Sequence, residues 1–277
     1  MVRKLFFFHL LCFCCFLSAQ ATGQISELII IGKDTLMLLT CPIEHDPIIR
    51  KQVNKRLAKK TFTTACWRRY QATWQIEDNQ LILKKNEDSK SLFASSDTVP
   101  EVTVDLSDIF DRYQDKQGRI VASWFSGELK VVSGERIYYV HMGFDREYEN
   151  ETVYQVEQGK IISKTDYRNS IKKGMPIEDA MKFVMTQFKG ERFPELANTR
   201  LVISVNVLPK ADGSLDSADV EILRPNNITE ERKKLYIEQI HAILKQIPQW
   251  DVLTVRNKIR KTGRWMLPVW RGKHTQN

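Results

Sequence analysis

From Ile25 to Lys164, apolar and polar positions alternate in short runs, the period of strands with one buried face. The runs are SELIIIG, DTLMLLT, RYQATWQI, QLILKK, RIVASWFSG, ELKVV, RIYYVHM and TVYQVEQGKIIS. Turn formers separate them: Gly32-Lys33-Asp34, Asp78-Asn79, Ser133-Gly134 and Gln158-Gly159. The pattern predicts an antiparallel β-rich domain over residues 22–165. Within it, residues 87–101 read as a polar loop. In DLSDIFDRY, Leu106, Ile109, Phe110 and Tyr113 are spaced for one short helical face.

The period then changes. PIEDAMKFVMTQF places Pro176, Glu178 and Asp179 in a first helical turn, with Ala180, Phe183, Val184 and Phe188 on one face. This helix sits in an expected connector, residues 166–198. From Thr199, Leu201, Ile203, Val205 and Val207 alternate with Ser204 and Asn206, and after KADGS, Ala218, Val220 and Ile222 alternate with Asp219 and Glu221. The two runs make a hairpin. Thr229 is a helix N-cap ahead of Glu230 and Glu231, and Tyr236, Ile240, Ile243, Leu244 and Ile247 form one stripe that Pro248 ends. GRWMLPVW follows as a terminal strand, and Pro268 places it at a sheet edge, a strand end or a bulge. The fold class expected is α+β: an N-terminal antiparallel β-rich domain, then a small β-β-α-β domain over residues 199–272.

The strand, DG turn, strand, helix, P-x-W and closing LPVW of this last domain resemble the C-terminal domain of the TonB family. The matching positions are Asp212 and Gly213, Pro248 and Trp250, and Pro268, Val269 and Trp270. The resemblance spans about the last 70 residues, and Asp251 departs from the family's proline-rich continuation after P-x-W. It implies a non-catalytic module that takes an extended peptide of an envelope or outer-membrane protein by strand addition. TACWRRYQATW and VASWFSGELKVVSGERIYYVHMGF, in the first domain, are similar to a β-rich region of secreted Bacteroidetes proteins.

The chain's start changes the setting of this picture. MVRKLFFFHLLCFCCFLSAQA carries Arg3 and Lys4, an apolar run from Leu5 to Leu17 and Ala19-Gln20-Ala21, the pattern of a signal peptide over residues 1–21. Its removal predicts an exported protein, periplasmic or envelope-associated, with no transmembrane segment in the mature chain. Cys12, Cys14 and Cys15 would leave with it. Cys41 and Cys66 remain in an oxidising compartment, as a bridge or as two buried thiols. Without Arg3 and Lys4 the 42 basic residues become 40 against 34 acidic, a net charge of +6. Acidic residues interleave with the basic ones, so a nucleic-acid footprint is not expected.

Little points to catalysis. The mature chain has no H-E-x-x-H, G-x-S-x-G, P-loop, G-x-G-x-x-G or C-x-x-C motif, so neither cofactor nor metal is expected. KADGSLDSADVE has a glycine where a calcium loop needs one, but Leu208 and Lys210 stand where oxygen ligands belong, and a hairpin turn is the better reading. Glu44-His45-Asp46 reads as a solvated loop, and Asp105, Asp108, Asp111 and Asp115 as the wet side of a helical turn. The alternative function is a secreted hydrolase with its site in the first domain, using His141 with Glu128 or Asp145.

Overall fold

The computed structural model describes residues 22–57, 63–88 and 106–271. The expected signal peptide, Asp105 and most of the expected loop at 87–101 lie outside these residues. The chain is β-rich with few helices. It divides into two compact units, the first ending at Asp166 and the second starting at Tyr167.

The first unit holds β1 (Glu27–Ile31), β2 (Asp34–Leu38), β3 (Tyr70–Glu77), β4 (Gln80–Asp88), β5 (Ile120–Val121), β6 (Gly127–Tyr139), β7 (Arg146–Glu157) and β8 (Lys160–Arg168). The strands run in the order β3-β1-β2-β6-β7-β8-β4, and β4 pairs back onto β3, closing a seven-strand barrel; β5 adds to the side of β4. The expectation of an antiparallel β-rich domain is corrected at one strand pairing. β1 pairs with β3 in parallel, Leu28 beside Thr73 through Ile31 beside Ile76. The chain reaches β3 from β2 through α1 (Pro47–Arg56), and a parallel return requires such a crossover.

Turn chemistry sets the hairpins. Asp78 and Asn79 both take positive φ, 49° and 61°, as do Gln158 and Gly159, 46° and 77°, the geometry whose twist matches two flanking strands. Gly159 has a second reason to be glycine, because a Cβ there would lie 2.8 Å from the Ala122 backbone carbonyl carbon. The barrel's join between β4 and β8 is narrow, a single registered pair of Gln80 with Lys160. The sequence reading missed α1. Pro47 occupies its first turn and the Asp46 carboxylate accepts from the amides of Ile48 and Ile49 at 2.7 and 2.9 Å, so Asp46 is a helix cap and not part of a solvated loop. Inward-facing Ile29, Leu38, Trp74, Leu81, Phe125 and Leu129 fill the barrel, and Ile49 and Val53 of α1 with Phe110 of α2 (Ser107–Phe110) join the same core.

The second unit contains β9 (Ser170–Lys172), α3 (Ile177–Gln187), β10 (Arg200–Pro209), β11 (Leu215–Arg224), α4 (Glu230–Leu244), β12 (Val252–Val255), β13 (Lys258–Ile259) and β14 (Trp265–Arg271). Its main sheet has the order β11-β10-β14, all antiparallel. A smaller sheet, β13-β12-β9, joins β12 and β13, which lie between α4 and β14 in the chain, to β9 ahead of α3, and was not anticipated. Thr229 caps α4, its hydroxyl accepting from the Arg232 amide at 3.3 Å. Leu201, Ile203, Val205 and Val207 of β10 pack with Tyr236, Ile240, Ile243 and Leu244 of α4. The helix of the expected connector contributes Ala180, Met181 and Val184 to this same core.

Gly190 shows how tightly this unit is filled. A Cβ there would fall inside the Trp270 indole, whose Nε1–H donates to the Leu196 carbonyl at 3.1 Å. Gly190→Ala is expected to lower the unfolding free energy by about 1–3 kcal/mol, the usual cost of overpacking. A urea melt checks this, and an unchanged midpoint would mean that Trp270 moves aside freely.

Candidate functional site

A sheet margin in the second unit and a cleft in the first both have the geometry of a site. The motif residues singled out in the sequence fall in two places: Asp212, Gly213, Pro248 and Trp250 around the β10–β11 turn, and Pro268, Val269 and Trp270 on β14. The Asp212 carboxylate accepts from the amide and hydroxyl of Ser214 at 2.8 and 2.7 Å, which holds its pKa below the ordinary carboxylate range and closes the turn. Gly213 takes φ +98°, and its carbonyl accepts from the Trp250 amide at 2.7 Å. The DG turn and the P-x-W segment are therefore bonded to each other. Pro248 follows the helix and lets the chain turn so that Trp250 is buried.

Among the described residues, β14 is hydrogen-bonded to β10 and to no other strand. Among the described residues, no backbone group of Trp265–Arg271 bonds to anything outside that ladder. Leu267 and Val269 face the core, Trp265 and Trp270 are half-buried against it, and Met266 on the opposite side is 74% exposed. β11 is the other margin, and it carries exposed Asp216, Ser217, Asp219 and Glu221. Lys261 pairs with Asp219 at 2.7 Å and Arg264 with Glu221 at 3.6 Å. A charged margin of this kind resists pairing with another chain. β14 is the more receptive of the two.

The cleft, of about 570 Å³, is lined by Gln24, Thr40, Cys41, Glu44, His45, Asn54, Trp67, Arg68 and Phe144. Beneath it lies a buried ion pair that the sequence reading missed. Glu27 Oε1 is 3.4 Å from Arg68 Nε, Glu27 Oε2 accepts from Trp74 Nε1 at 2.6 Å, and Arg68 Nη2 donates to the Ile25 carbonyl at 3.0 Å. Glu44 accepts from the buried Tyr70 hydroxyl at 2.8 Å. A charged residue opening an otherwise apolar strand, as in SELIII, was the available signal for Glu27.

Burial pushes the Glu27 carboxyl up to about 7, against the lowering effect of Arg68 and of the Trp74 hydrogen bond. The sign of the consequence follows from linkage. Between the ordinary value of 4.5 and 7 the folded chain binds the proton that the unfolded chain has lost, so this stabilisation is complete below 4.5 and disappears as pH rises through 7. In urea unfolding from pH 4.5 to 8, the stability of the wild type relative to Glu27→Gln is expected to fall by up to about 3 kcal/mol. A pH-independent difference would place the carboxyl's pKa at its ordinary value.

Cys41 and Cys66 are both free thiols in the structure. Burial, reinforced for Cys41 by the Glu27 charge, raises both thiols above their ordinary value, so neither is an activated thiolate. His141 is exposed, its Nδ1 2.7 Å from the Tyr139 hydroxyl, and Glu128 accepts from Gln155 Nε2 at 2.9 Å. Neither of these, nor Asp145, lines the cleft. Among the described residues no group of three or more His, Cys, Asp or Glu is placed to hold a metal ion, and no helix is long and apolar enough to cross a membrane. Comparisons with protein-family models, with curated proteins and with solved structures gave no match.

Proposed function

We propose that this is a non-catalytic, exported protein-binding module whose second unit captures an extended segment of an envelope or outer-membrane protein by adding it as a strand beside β14. The observation that carries the reading is the single pairing of β14, with its outer backbone groups unbonded among the described residues. The strand order β11-β10-β14, with α4 between β11 and β14 in the chain, and the bond joining Gly213 to Trp250 agree with the resemblance to the TonB C-terminal domain.

About four backbone hydrogen bonds, at about 0.5–1.5 kcal/mol each, give a weak and transient complex unless side chains add to it. Met266 offers such a contact. The test is capture of partners from a bacterial envelope extract on the full chain, followed by hydrogen exchange of the complex. Slowed exchange at the amides of Trp265–Arg271 is the expected result. Protection elsewhere with these amides unchanged, or no partner at all, would sink the reading. The rival, a hydrolase in the first unit, gains no support from Cys41, whose thiol is held protonated, or from His141, which lies outside the cleft lining.

A further inference from the structure

One end of the main sheet of the second unit carries an arginine on each of its three strands. Arg200 opens β10, Arg224 closes β11 and Arg271 closes β14. The register sets Arg200 directly across from Arg271, and Arg224 across from Val202, two residues along from Arg200. All three are exposed. Like charges directly opposed on an antiparallel pair repel, so this arrangement works against the sheet that holds it.

Elsewhere in this unit, several cations are offset by acids: Lys182 by Asp179, Lys233 by Glu230, Arg232 by Glu195 and Lys261 by Asp219. Among the described residues, no Asp or Glu oxygen lies within ion-pair distance of Arg200, Arg224 or Arg271. Beside them is a recess of about 380 Å³ lined by Asn198, Thr199, Arg200, Arg224, Asn226 and Asn227. Its lining has no carboxylate, and its amides and hydroxyl add neutral donors to two guanidinium groups.

We propose that this recess binds a phosphate group. Guanidinium forks match the oxygens of a phosphate two at a time, and its negative charge answers the two arginines that line the recess. The inference does not rest on strand addition at β14, since it uses the end of the sheet and not its margin. A phosphate here would come either from a small soluble molecule or from a lipid headgroup, and the test separates the two.

The full chain is titrated with inorganic phosphate at constant ionic strength, by calorimetry and by thermal melting, and in parallel sedimented with vesicles of phosphatidylglycerol or of phosphatidylcholine. The expected result is a saturable rise in Tm with phosphate, or co-sedimentation with phosphatidylglycerol vesicles alone. Either binding is expected to weaken at least tenfold in Arg200→Gln and in Arg224→Gln, and to persist in Lys182→Gln, which removes a cation elsewhere. Phosphate binding assigns a soluble ligand; vesicle binding without it assigns a headgroup. Without ligand, Arg271→Gln is expected to melt at a higher temperature than the wild type, because it relieves the repulsion across from Arg200. The proposal is overturned if neither probe binds, or if the Arg200 and Arg224 variants bind as well as Lys182→Gln.

Discussion

At pH 8, Glu27→Ala is expected to lower the unfolding free energy by about 3–5 kcal/mol. The loss does not measure the strength of the ion pair. A carboxyl whose pKa is pushed up to about 7 is paying more for burial than Arg68 returns to it. What the substitution leaves behind is the cost: a buried guanidinium that cannot shed its charge, and a Trp74 indole N–H without its acceptor. The double variant Glu27→Leu with Arg68→Met removes both charges together and is expected to recover much of the loss. Urea denaturation of the three chains checks the argument. A double variant no more stable than Glu27→Ala would show that the pair, and not the stranded charge, carries the stability.

Trp250→Ala is expected to cost a similar about 3–5 kcal/mol, by a different route. The side chain is 1% exposed and belongs to the core shared by α3, α4 and the main sheet. Its backbone is fixed on two sides, by its amide bond to Gly213 and by the bridge to Met175, where the Met175 amide donates to the Gln249 carbonyl at 2.7 Å. The cavity left by alanine therefore has little freedom to collapse. Among the described residues the indole Nε1 has no hydrogen-bond partner, so the loss is one of packing. Trp250→Phe, which keeps an aromatic ring and removes the unsatisfied N–H, is expected to lose only about 1–2 kcal/mol. Equal losses for the two variants in a denaturant series would contradict this account.

What could be read from the sequence was what is local. Asp78-Asn79 and Gln158-Gly159 announce hairpin turns because few residues tolerate positive φ, and Thr229 and Pro248 bracket α4 through chemistry confined to one turn. The resemblance to the TonB C-terminal domain also marked Gly213 and Trp250, which the fold joins by a hydrogen bond. Strand neighbours were not legible. An alternating run fixes which side chains face inward but leaves the partner open, so neither the parallel contact of β1 with β3 nor the meeting of β4 with β8 could be inferred. The same holds for the sites. Glu27 and Arg68 lie 41 positions apart, and Arg200, Arg224 and Arg271 become one cluster only through the register of three strands.

Barrel closure has a consequence for how each unit comes apart. A hoop of strands has no loose end to peel, so the first unit should resist partial opening until the narrow join at Gln80 and Lys160 gives way, and then open over a large area together. The open sheet of the second unit can instead shed its outermost strand while the rest stays folded.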